Sequence, residues 1–341
     1  MGSYFLKILF AVLVCFSHTK LFILGFISPL HVKCIEKERQ ALLNFKQGLQ
    51  DYSGMLSRWS DDDNSRDCCK WKGIECNNET VHVQMLDLRA SDVHFFTGDL
   101  YISLFLELQN MEYLDLSRNL FPDSQIPEQM GNFKNLRYLN LSDLSFVGGI
   151  PSQLGNLSKL EYLDLKRIFV GGAIPSQLGN LSKLRYVDLA GNSLSGEIPF
   201  QVGNLPILQA LRLWGFGNIH LKFNDAKWVT SLSSLTTLDL SSFGNLSVDT
   251  ISSLFDSHSN LSTSLSILDL SNNMLTSSTF QLLFNYSINL QELYLSGNNI
   301  LLSPHYPNFT SLVILDLSFN NLTSLIFHGN FNISSKLQEL L

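Results

Sequence analysis

The sequence has no excess and no cluster of basic residues. Among its 341 residues, 23 are lysine or arginine and 30 are aspartate or glutamate. A nucleic-acid-binding surface needs a concentrated positive patch, and adhesion to an anionic membrane surface needs one as well. We therefore expect no nucleic acid and no anionic bilayer as a partner, and we interpret the thinly spread charge as a contribution to solubility.

Long apolar runs are also missing. A membrane-spanning helix needs about 20 consecutive apolar residues, but the N-terminal apolar runs 8–16 and 21–27 are separated by polar residues 18–20. Lys7 precedes the first run, and a short apolar segment after a positive charge is typical of a secretory signal peptide. We predict a signal peptide in residues 1–33, cleaved between Ser17 and Lys33, and the alternative is an uncleaved signal anchor.

Cysteine is rare, with five residues in the chain, and Cys15 lies in the predicted signal peptide. The other four are Cys34, Cys68, Cys69 and Cys76. An even set on the exported side of a membrane indicates disulfides in an oxidising compartment. The alternative is a zinc site, but zinc ligands are usually separated by two to four residues and Cys68 and Cys69 are adjacent.

The sequence contains no recognisable catalytic constellation. It has no His-x-x-x-His pair beside a glutamate, no Gly-x-Ser-x-Gly turn and no phosphate-binding loop. The acidic run 61–63 is crowded for a metal site, so we interpret it as a solvated turn. We expect a protein that is not an enzyme and that has no cofactor and no metal.

A repeated string, Leu-x-x-Leu-x-Leu, runs from about residue 83 to the end, and its clear copies include 111–116, 160–165 and 312–317. Its last leucine recurs at intervals of 22 to 30 residues, within the period of leucine-rich repeats. These leucines are Leu88, Leu116, Leu141, Leu165, Leu189, Leu213, Leu240, Leu270, Leu295 and Leu317. The period predicts about ten complete repeats and one truncated repeat in residues 83–341.

Each copy alternates as a β-strand does, so Val187 and Leu189 point inward while Tyr186, Asp188 and Ala190 point outward. One coil cannot bury its leucines alone, and stacked coils bury them against each other. We predict an α/β solenoid: a right-handed, curved leucine-rich-repeat superhelix with a parallel β-sheet on the concave face and an N-terminal disulfide cap.

Asparagine follows the last leucine by three residues in several repeats and is expected to satisfy backbone groups at the bend. Leu144, Ile168, Phe216 and Phe243 occupy this place in the middle of the array. We therefore expect local irregularity there.

The second half of four repeats reads Ile-Pro-x-x-apolar-Gly-Asn-apolar. Proline keeps the chain extended before a turn, and Gly-Asn closes a short helical turn. The four copies are 126–133, 150–157, 174–181 and 198–205. This pattern resembles the plant-specific class of leucine-rich repeats.

Residues 34–82 are predicted to cap the first coil. Residues 36–49 place Ala41, Leu42, Phe45 and Leu49 on one helical face. The strings Glu-Arg-Gln-Ala-Leu-Leu-x-Phe-Lys and Cys-Cys-x-Trp-x-Gly-Ile-x-Cys resemble the N-terminal cap of plant leucine-rich-repeat receptors. The four cysteines alone allow three pairings, and the resemblance implies Cys34–Cys68 and Cys69–Cys76.

The outward positions of the predicted sheet carry the candidate binding residues. Tyr113, Tyr138, Tyr162 and Tyr186 are one repeat apart, so they should form a stripe that acts as a protein-interface anchor. The alternative is that tyrosine is a favourable strand residue. Beside the stripe lies a group of basic and aromatic residues that we interpret as a site for an acidic partner segment or as scattered solvated charges. These residues are Arg118, Lys166, Arg167, Arg212 and Trp214.

Asn-x-Ser/Thr sequons occur ten times, which is consistent with passage through the secretory pathway. The predicted glycan acceptors are Asn78, Asn140, Asn156, Asn180, Asn245, Asn260, Asn285, Asn308, Asn321 and Asn332. A glycan on Asn140 would lie within the tyrosine stripe.

After the signal, nearly the whole chain resembles the extracellular region of plant receptor-like proteins, in the group that includes receptors for fungal ethylene-inducing xylanase. The resemblance implies an ectodomain at the outer face of the plasma membrane. It would bind a protein, peptide or glycan ligand on its concave face and signal in defence or development through partner receptor kinases.

The last repeat stops at Leu341 without a cysteine cap or a membrane helix, so we expect a truncated ectodomain, secreted to the apoplast if the chain ends there. The alternative function is a secreted inhibitor of a cell-wall-degrading enzyme, similar to the polygalacturonase-inhibiting proteins.

Overall fold

The computed structural model describes residues 34–100, 106–215, 220–222, 227–244, 246–254, 261–286, 289–301, 310–322 and 334–341. The predicted signal peptide lies outside them. Within these residues, twelve strands form one long sheet, a second sheet has three strands, and a two-stranded pair lies in the cap.

The long sheet is built from one short strand per repeat, preceded by a hairpin strand from the cap. Its strands, in spatial order, are β2 (Ile74–Cys76), β3 (Val83–Asp87), β5 (Tyr113–Asp115), β6 (Tyr138–Asn140), β7 (Tyr162–Asp164), β9 (Tyr186–Asp188), β11 (Ala210–Arg212), β13 (Thr237–Asp239), β14 (Ile267–Asp269), β15 (Glu292–Tyr294), β16 (Ile314–Asp316) and β17 (Glu339–Leu340). Only β2 and β3 are antiparallel, and every later pair is parallel. The predicted parallel sheet of stacked coils is confirmed.

The remaining strands and the helices lie outside the long sheet. They are α1 (Glu36–Gly48), β1 (Leu49–Gln50), β4 (Thr97–Gly98), β8 (Gly171–Gly172), β10 (Ser193–Glu197), β12 (His220–Lys222), α2 (Lys227–Thr230), α3 (Val248–Leu254), α4 (Leu261–Ser264) and α5 (Ser277–Tyr286). Strands β8, β10 and β12 form the three-stranded sheet, and β1 pairs with β4. On the side of each repeat opposite the long sheet, the chain forms short 3₁₀ segments in the repeats up to residue 204. From residue 227 onward, the described repeats have α-helices at this place.

The core is a column of leucines that runs the length of the solenoid. Leu114, Leu139 and Leu163, at the centres of adjacent strands, have no exposed surface and are in register with each other. Fully burying one such side chain contributes about 1.5–3 kcal/mol. Because each coil covers the apolar edge of the next, the stability of the array depends on the stacking of neighbours.

Asparagine side chains join successive coils at the bend after the strand. Asn119 Nδ2 donates to the carbonyls of Leu88 and Leu116, and its Oδ1 accepts from the amide of Phe96. Equivalent bonds form at Asn192, Asn273, Asn298 and Asn320.

At the described positions in the middle of the sheet, the expected irregularity is not observed. Leu144 and Ile168 take the asparagine position and are fully buried, and β6 and β7 keep their register with their neighbours. Phe243 is buried as well, and Phe216 lies outside the described residues. Apolar packing at these positions therefore replaces the asparagine hydrogen bonds between coils, and the strands stay in register.

The glycine of each Gly-Asn turn lies close to the backbone of the next coil. A Cβ atom on Gly155 would lie 2.4 Å from the carbonyl oxygen of Gln177, and one on Gly179 would lie 2.2 Å from that of Gln201. Only glycine lets the outer 3₁₀ segments 152–156, 176–180 and 200–204 stack this closely. The motif thus sets the spacing of the outer side.

The cap is held by two disulfides, Cys34–Cys68 and Cys69–Cys76, which are the pairs implied by the family resemblance. Each can contribute roughly 2–4 kcal/mol. Trp59 stacks on Trp71 with ring centroids 5.3 Å apart, and the helix α1 buries Ala41, Leu42 and Phe45. The helix ends at Gly48, one residue before the predicted end, because Leu49 enters β1.

The join between the cap and the array uses a buried charge that the apolar pattern did not indicate. Glu38 on α1 is 2% exposed. Its carboxylate accepts from the backbone amide of Val83 at 2.8 Å and lies 2.7 Å from Nδ1 of His82. A buried carboxylate requires such partners, so these bonds fix the cap against β3.

Candidate functional site

The four predicted tyrosines form a continuous stack on the outward side of the sheet. Ring centroids are 4.1 Å apart between Tyr113 and Tyr138, 4.4 Å between Tyr138 and Tyr162, and 4.3 Å between Tyr162 and Tyr186. Adjacent rings lie within 7° of parallel. We name these four side chains the tyrosine ladder. Its inner ring faces are covered by neighbouring rings, so it presents ring edges and hydroxyl groups to a ligand.

A row of acidic and amide side chains lies two residues further along each strand. Asp115, Asp164 and Asp188 are buried, as is Asn140. The tyrosine hydroxyls donate into this row: Tyr162 to Asp164 at 3.3 Å, and Tyr186 to Asp188 at 3.1 Å. Tyr113 and Tyr138 both donate to Asp115, at 3.4 and 3.5 Å. The ladder's O–H donors are therefore used internally. The hydroxyl oxygens of Tyr138 and Tyr186 also accept hydrogen bonds, from Asn140 Nδ2 at 3.4 Å and from Arg212 Nη1 at 2.9 Å.

The pKa values of this site are shifted by burial and by like charge. Burial raises the pKa of Asp164 to about 6, and the charge of Asp188 adds to the rise. Burial and the nearby Asp188 raise the pKa of Tyr186 to about 12, and burial also raises the pKa of Tyr162. The tyrosines are therefore neutral hydrogen-bonding groups at physiological pH.

The predicted basic residues are close to the ladder, but carboxylates pair with three of them, and the first is Arg118, whose Nη2 lies 3.4 Å from Oδ1 of Asp92. Arg167 Nε lies 2.5 Å from Oδ1 of Asp143. Arg212 Nη1 lies 3.7 Å from Oδ2 of Asp188 and donates to the hydroxyl of Tyr186 at 2.9 Å. The structure thus gives a mixed surface where the sequence suggested a basic one.

Lys166, Arg212 and Trp214 share a depression of about 300 Å³ on the same face. Asp188, Asp239, Asp269, Glu292 and Tyr294 also line it. Burial raises the pKa of Asp239 to about 6, with a contribution from Asp269. The binding residues predicted from the sequence did not include this depression, although the change from Tyr186 to Ala210 and Thr237 at register-equivalent positions could have indicated it.

The described sequons differ in accessibility. Asn78, Asn156, Asn180 and Asn321 are exposed. Asn140 is buried, and its Nδ2 donates to Oδ2 of Asp115 at 3.1 Å. The side chain of Asn285 and the residues Asn245, Asn260, Asn308 and Asn332 lie outside the described part of the chain.

The one candidate metal-ligand group found in the described residues is Cys34, Cys68 and Cys69, whose sulfur atoms lie within 4.8 Å of one another. All three are already disulfide-bonded. None of the helices in the described residues combines the length and the apolar composition that crossing a bilayer requires.

Comparison with known families agrees with this architecture. The family described as "Leucine-rich repeat region" matches residues 93–325, which is more than half of the chain, and "Leucine rich repeat N-terminal domain" matches residues 35–77. The chain belongs to the leucine-rich-repeat proteins. The second match coincides with the disulfide-bonded cap.

Curated leucine-rich-repeat relatives are plant receptor-like proteins. Receptor-like protein EIX2 of Solanum lycopersicum is 49% identical over 125 residues, and Receptor-like protein EIX1 of the same plant is 47% identical over 127 residues. Each match covers 34% of this chain and 12% of the relative's own length. The matched region is therefore a small part of those receptors.

Solved leucine-rich-repeat structures share most of this fold. The ectodomain of the Arabidopsis receptor kinase HAESA, solved with a peptide hormone ligand, has a TM-score of 0.67 and 27% identity, covering 89% of this chain and 49% of that chain. A plant ice-binding protein has a TM-score of 0.67 and 26% identity, covering 90% of this chain and 96% of that one. The chain thus shares its fold with plant leucine-rich-repeat proteins.

Proposed function

We propose that this chain is the ligand-binding part of a plant cell-surface receptor-like protein and that its ligand is a peptide or a protein segment bound on the concave face. The tyrosine ladder carries the proposal. Four parallel rings on adjacent strands form a rigid row, and tyrosine contributes strongly to protein interfaces because its ring loses little entropy when it is ordered.

The comparisons support a receptor over a catalyst. The curated relatives are named as receptor-like proteins, and the HAESA ectodomain was solved with a peptide hormone. On this proposal the chain acts outside the cell, carries no catalytic group, and transmits binding in defence or development through partner receptor kinases. Its exposed sequons and cap disulfides fit an exported protein.

The ladder favours a peptide over a glycan as the ligand. Sugars stack on the open faces of aromatic rings, but the faces of Tyr138 and Tyr162 are covered by their neighbours at 4.1–4.4 Å. A hydroxyl oxygen has acceptor capacity for more than one hydrogen bond, so the oxygens along the ladder can also accept from the backbone amides of an extended peptide.

The test uses random peptides displayed on phage and selected on the purified secreted chain. Binding of the selected peptides is then measured for a Tyr138→Ala, Tyr162→Ala double variant. A Tyr52→Ala variant is the matched control, because Tyr52 is 80% exposed on the cap, away from the sheet. We expect the double variant to weaken binding by about thirtyfold or more, the effect of losing an interface anchor. Equal binding by wild type and the double variant would contradict the proposal.

A further inference from the structure

The depression beyond the tyrosine ladder is formed by a change in side-chain size along one row of the sheet. The position held by Tyr186 in β9 is held by Ala210 in β11 and by Thr237 in β13, in direct register. The row of tyrosine rings therefore ends at Tyr186, and the next two side chains in the row are much shorter. The surface is lower there by the difference in side-chain length, which forms a step. This step opens the space of about 300 Å³.

Arg212 forms the near wall of this space and is held in place. It donates to Tyr186 Oη at 2.9 Å, its guanidinium carbon lies 5.6 Å from the centre of the Tyr186 ring, and Asp188 is 3.7 Å away. Across the depression, on β15, Tyr294 donates to Oε2 of Glu292 at 2.9 Å. The depression therefore lies between two ordered polar walls.

The charges that line the depression are not balanced. Asp188, Asp239, Asp269 and Glu292 face Lys166 and Arg212. Asp239 and Asp269 each cap the backbone amide two residues later, at 3.0 and 2.9 Å. In the part of the chain that the structure describes, no salt bridge is recorded for Asp239, Asp269 or Glu292, whereas Arg212 is already paired with Asp188. With these groups ionised, four carboxylates face two cations, so the lining of the depression has an excess of negative charge.

The walls also contain aromatic surface. Trp214 lies on the β11 side and Tyr294 on the β15 side. Carboxylates together with aromatic rings attract an extended cationic side chain, because the charge pairs with the former and the aliphatic stem or guanidinium packs on the latter. An acidic side chain would meet repulsion at the same place.

We propose that this depression receives the lysine or arginine side chain of a peptide ligand that lies across the concave face. The inference rests on the proposed function, since it assigns a chemical preference to the same surface. It differs from both sequence-based interpretations of Arg118, Lys166, Arg167, Arg212 and Trp214, a site for an acidic segment or scattered solvated charges. The adjoining ladder offers hydrogen-bond acceptors, so the whole surface fits a donor-rich, basic peptide.

The experiment sequences the phage-displayed peptides selected on wild type and measures their affinity for three variants. The Glu292→Gln, Asp269→Ser double variant removes two negative charges while serine keeps an acceptor for the amide of residue 271. Glu292→Gln alone repeats the test with a mild change. Glu128→Gln is the control, because Glu128 is an exposed acid on an outer 3₁₀ segment.

We expect lysine or arginine to be enriched at one peptide position and affinity to fall about three- to tenfold in the double variant, the range for losing partly exposed charge pairs. Glu292→Gln should give a smaller fall and Glu128→Gln none. Peptides that lose binding to the Tyr138→Ala, Tyr162→Ala variant but show no basic preference would overturn this inference and leave the proposed function standing. Selected peptides that bind independently of the tyrosines would overturn both.

Discussion

Arg212 closes the tyrosine ladder: its Nη1 atom donates a 2.9 Å hydrogen bond to the hydroxyl oxygen of Tyr186 and lies 3.7 Å from the buried carboxylate of Asp188. One side chain thus donates a hydrogen bond to the Tyr186 hydroxyl and forms an ion pair with the buried Asp188. This arrangement links the stability of the repeat to the shape of the binding surface, because the same guanidinium is a wall of the depression.

Replacing Arg212 with methionine should lower the free energy of unfolding by about 1–3 kcal/mol, because a buried carboxylate loses its cationic partner. The matched change is Arg118→Met. Arg118 lies 3.4 Å from Asp92, whose side chain is 89% exposed, so this pair should contribute less than about 0.5 kcal/mol. Urea unfolding of both variants measures the difference. Equal decreases in the free energy of unfolding would show that the Arg212–Asp188 pair stabilises the fold no more than the exposed Arg118–Asp92 pair does.

The outer Gly-Asn turn should not tolerate a side chain. In Gly179→Ala the new Cβ would lie 2.2 Å from the carbonyl oxygen of Gln201, so the coils must separate, at a cost of about 1–3 kcal/mol. Gly171→Ala is the control, since its Cβ would be 3.5 Å from the nearest atom, the carbonyl oxygen of Ser193. Thermal unfolding should show a clear loss for Gly179→Ala only. A similar melting temperature for the two variants would argue against close stacking of the turns.

Asp164 should make the chain less stable as pH rises. Burial raises its folded-state pKa to about 6, above the ordinary aspartate value of about 3.9. The folded state therefore binds the proton more tightly, and between about pH 4 and pH 6 this group lowers the free energy of unfolding as pH increases. Asp239, with a pKa raised to about 6, has the same sign.

The variant Asp164→Asn should remove this contribution and be more stable than wild type at pH 7, by roughly 1–3 kcal/mol. Asparagine fits the row, because Asn140 holds the register-equivalent position and its Oδ1 accepts from the Ser142 amide at 3.0 Å. Urea unfolding at pH 4 and pH 7 is the measurement. If wild type and variant lose the same stability over this range, Asp164 does not titrate as described.

The sequence predicted the sheet and the ladder because both depend on spacing alone. The strand copies are 24 or 25 residues apart, and this spacing places Tyr113, Tyr138, Tyr162 and Tyr186 in register, independently of the conformation of the loops between them. The alternation of inward and outward residues then assigns each side chain to a face. The cap pairing came from the family resemblance, since four cysteines alone leave three choices.

The details of the surface could not be predicted, because they depend on contacts between different repeats. Arg167 pairs with Asp143, which is 24 residues earlier in the chain, so its charge is compensated in a way that composition does not indicate. The gap in the asparagine series suggested a disturbed sheet. The buried side chains of Leu144 and Ile168 keep it regular, because packing provides the cohesion that hydrogen bonds provide elsewhere.

Asn140 should be unglycosylated, although it forms a sequon. The nitrogen that would carry the glycan donates to Asp115 and is enclosed beneath the ladder. Asn78, Asn156 and Asn180 are exposed and should be accessible to a glycan. Glycopeptide mass spectrometry of the secreted chain measures occupancy at each site. A glycan on Asn140 in folded protein would contradict the described packing of the row.

The most direct test of the central claim is to locate a bound peptide on the chain. A peptide selected on wild type is synthesised with a photo-crosslinking group, irradiated in complex with the secreted chain, and the attachment points are found by mass spectrometry. We expect them on the outward residues of β5 to β15, around the tyrosine ladder and the depression. Attachment mainly on the outer 3₁₀ segments 128–132, 152–156 and 176–180 would contradict binding at the concave face.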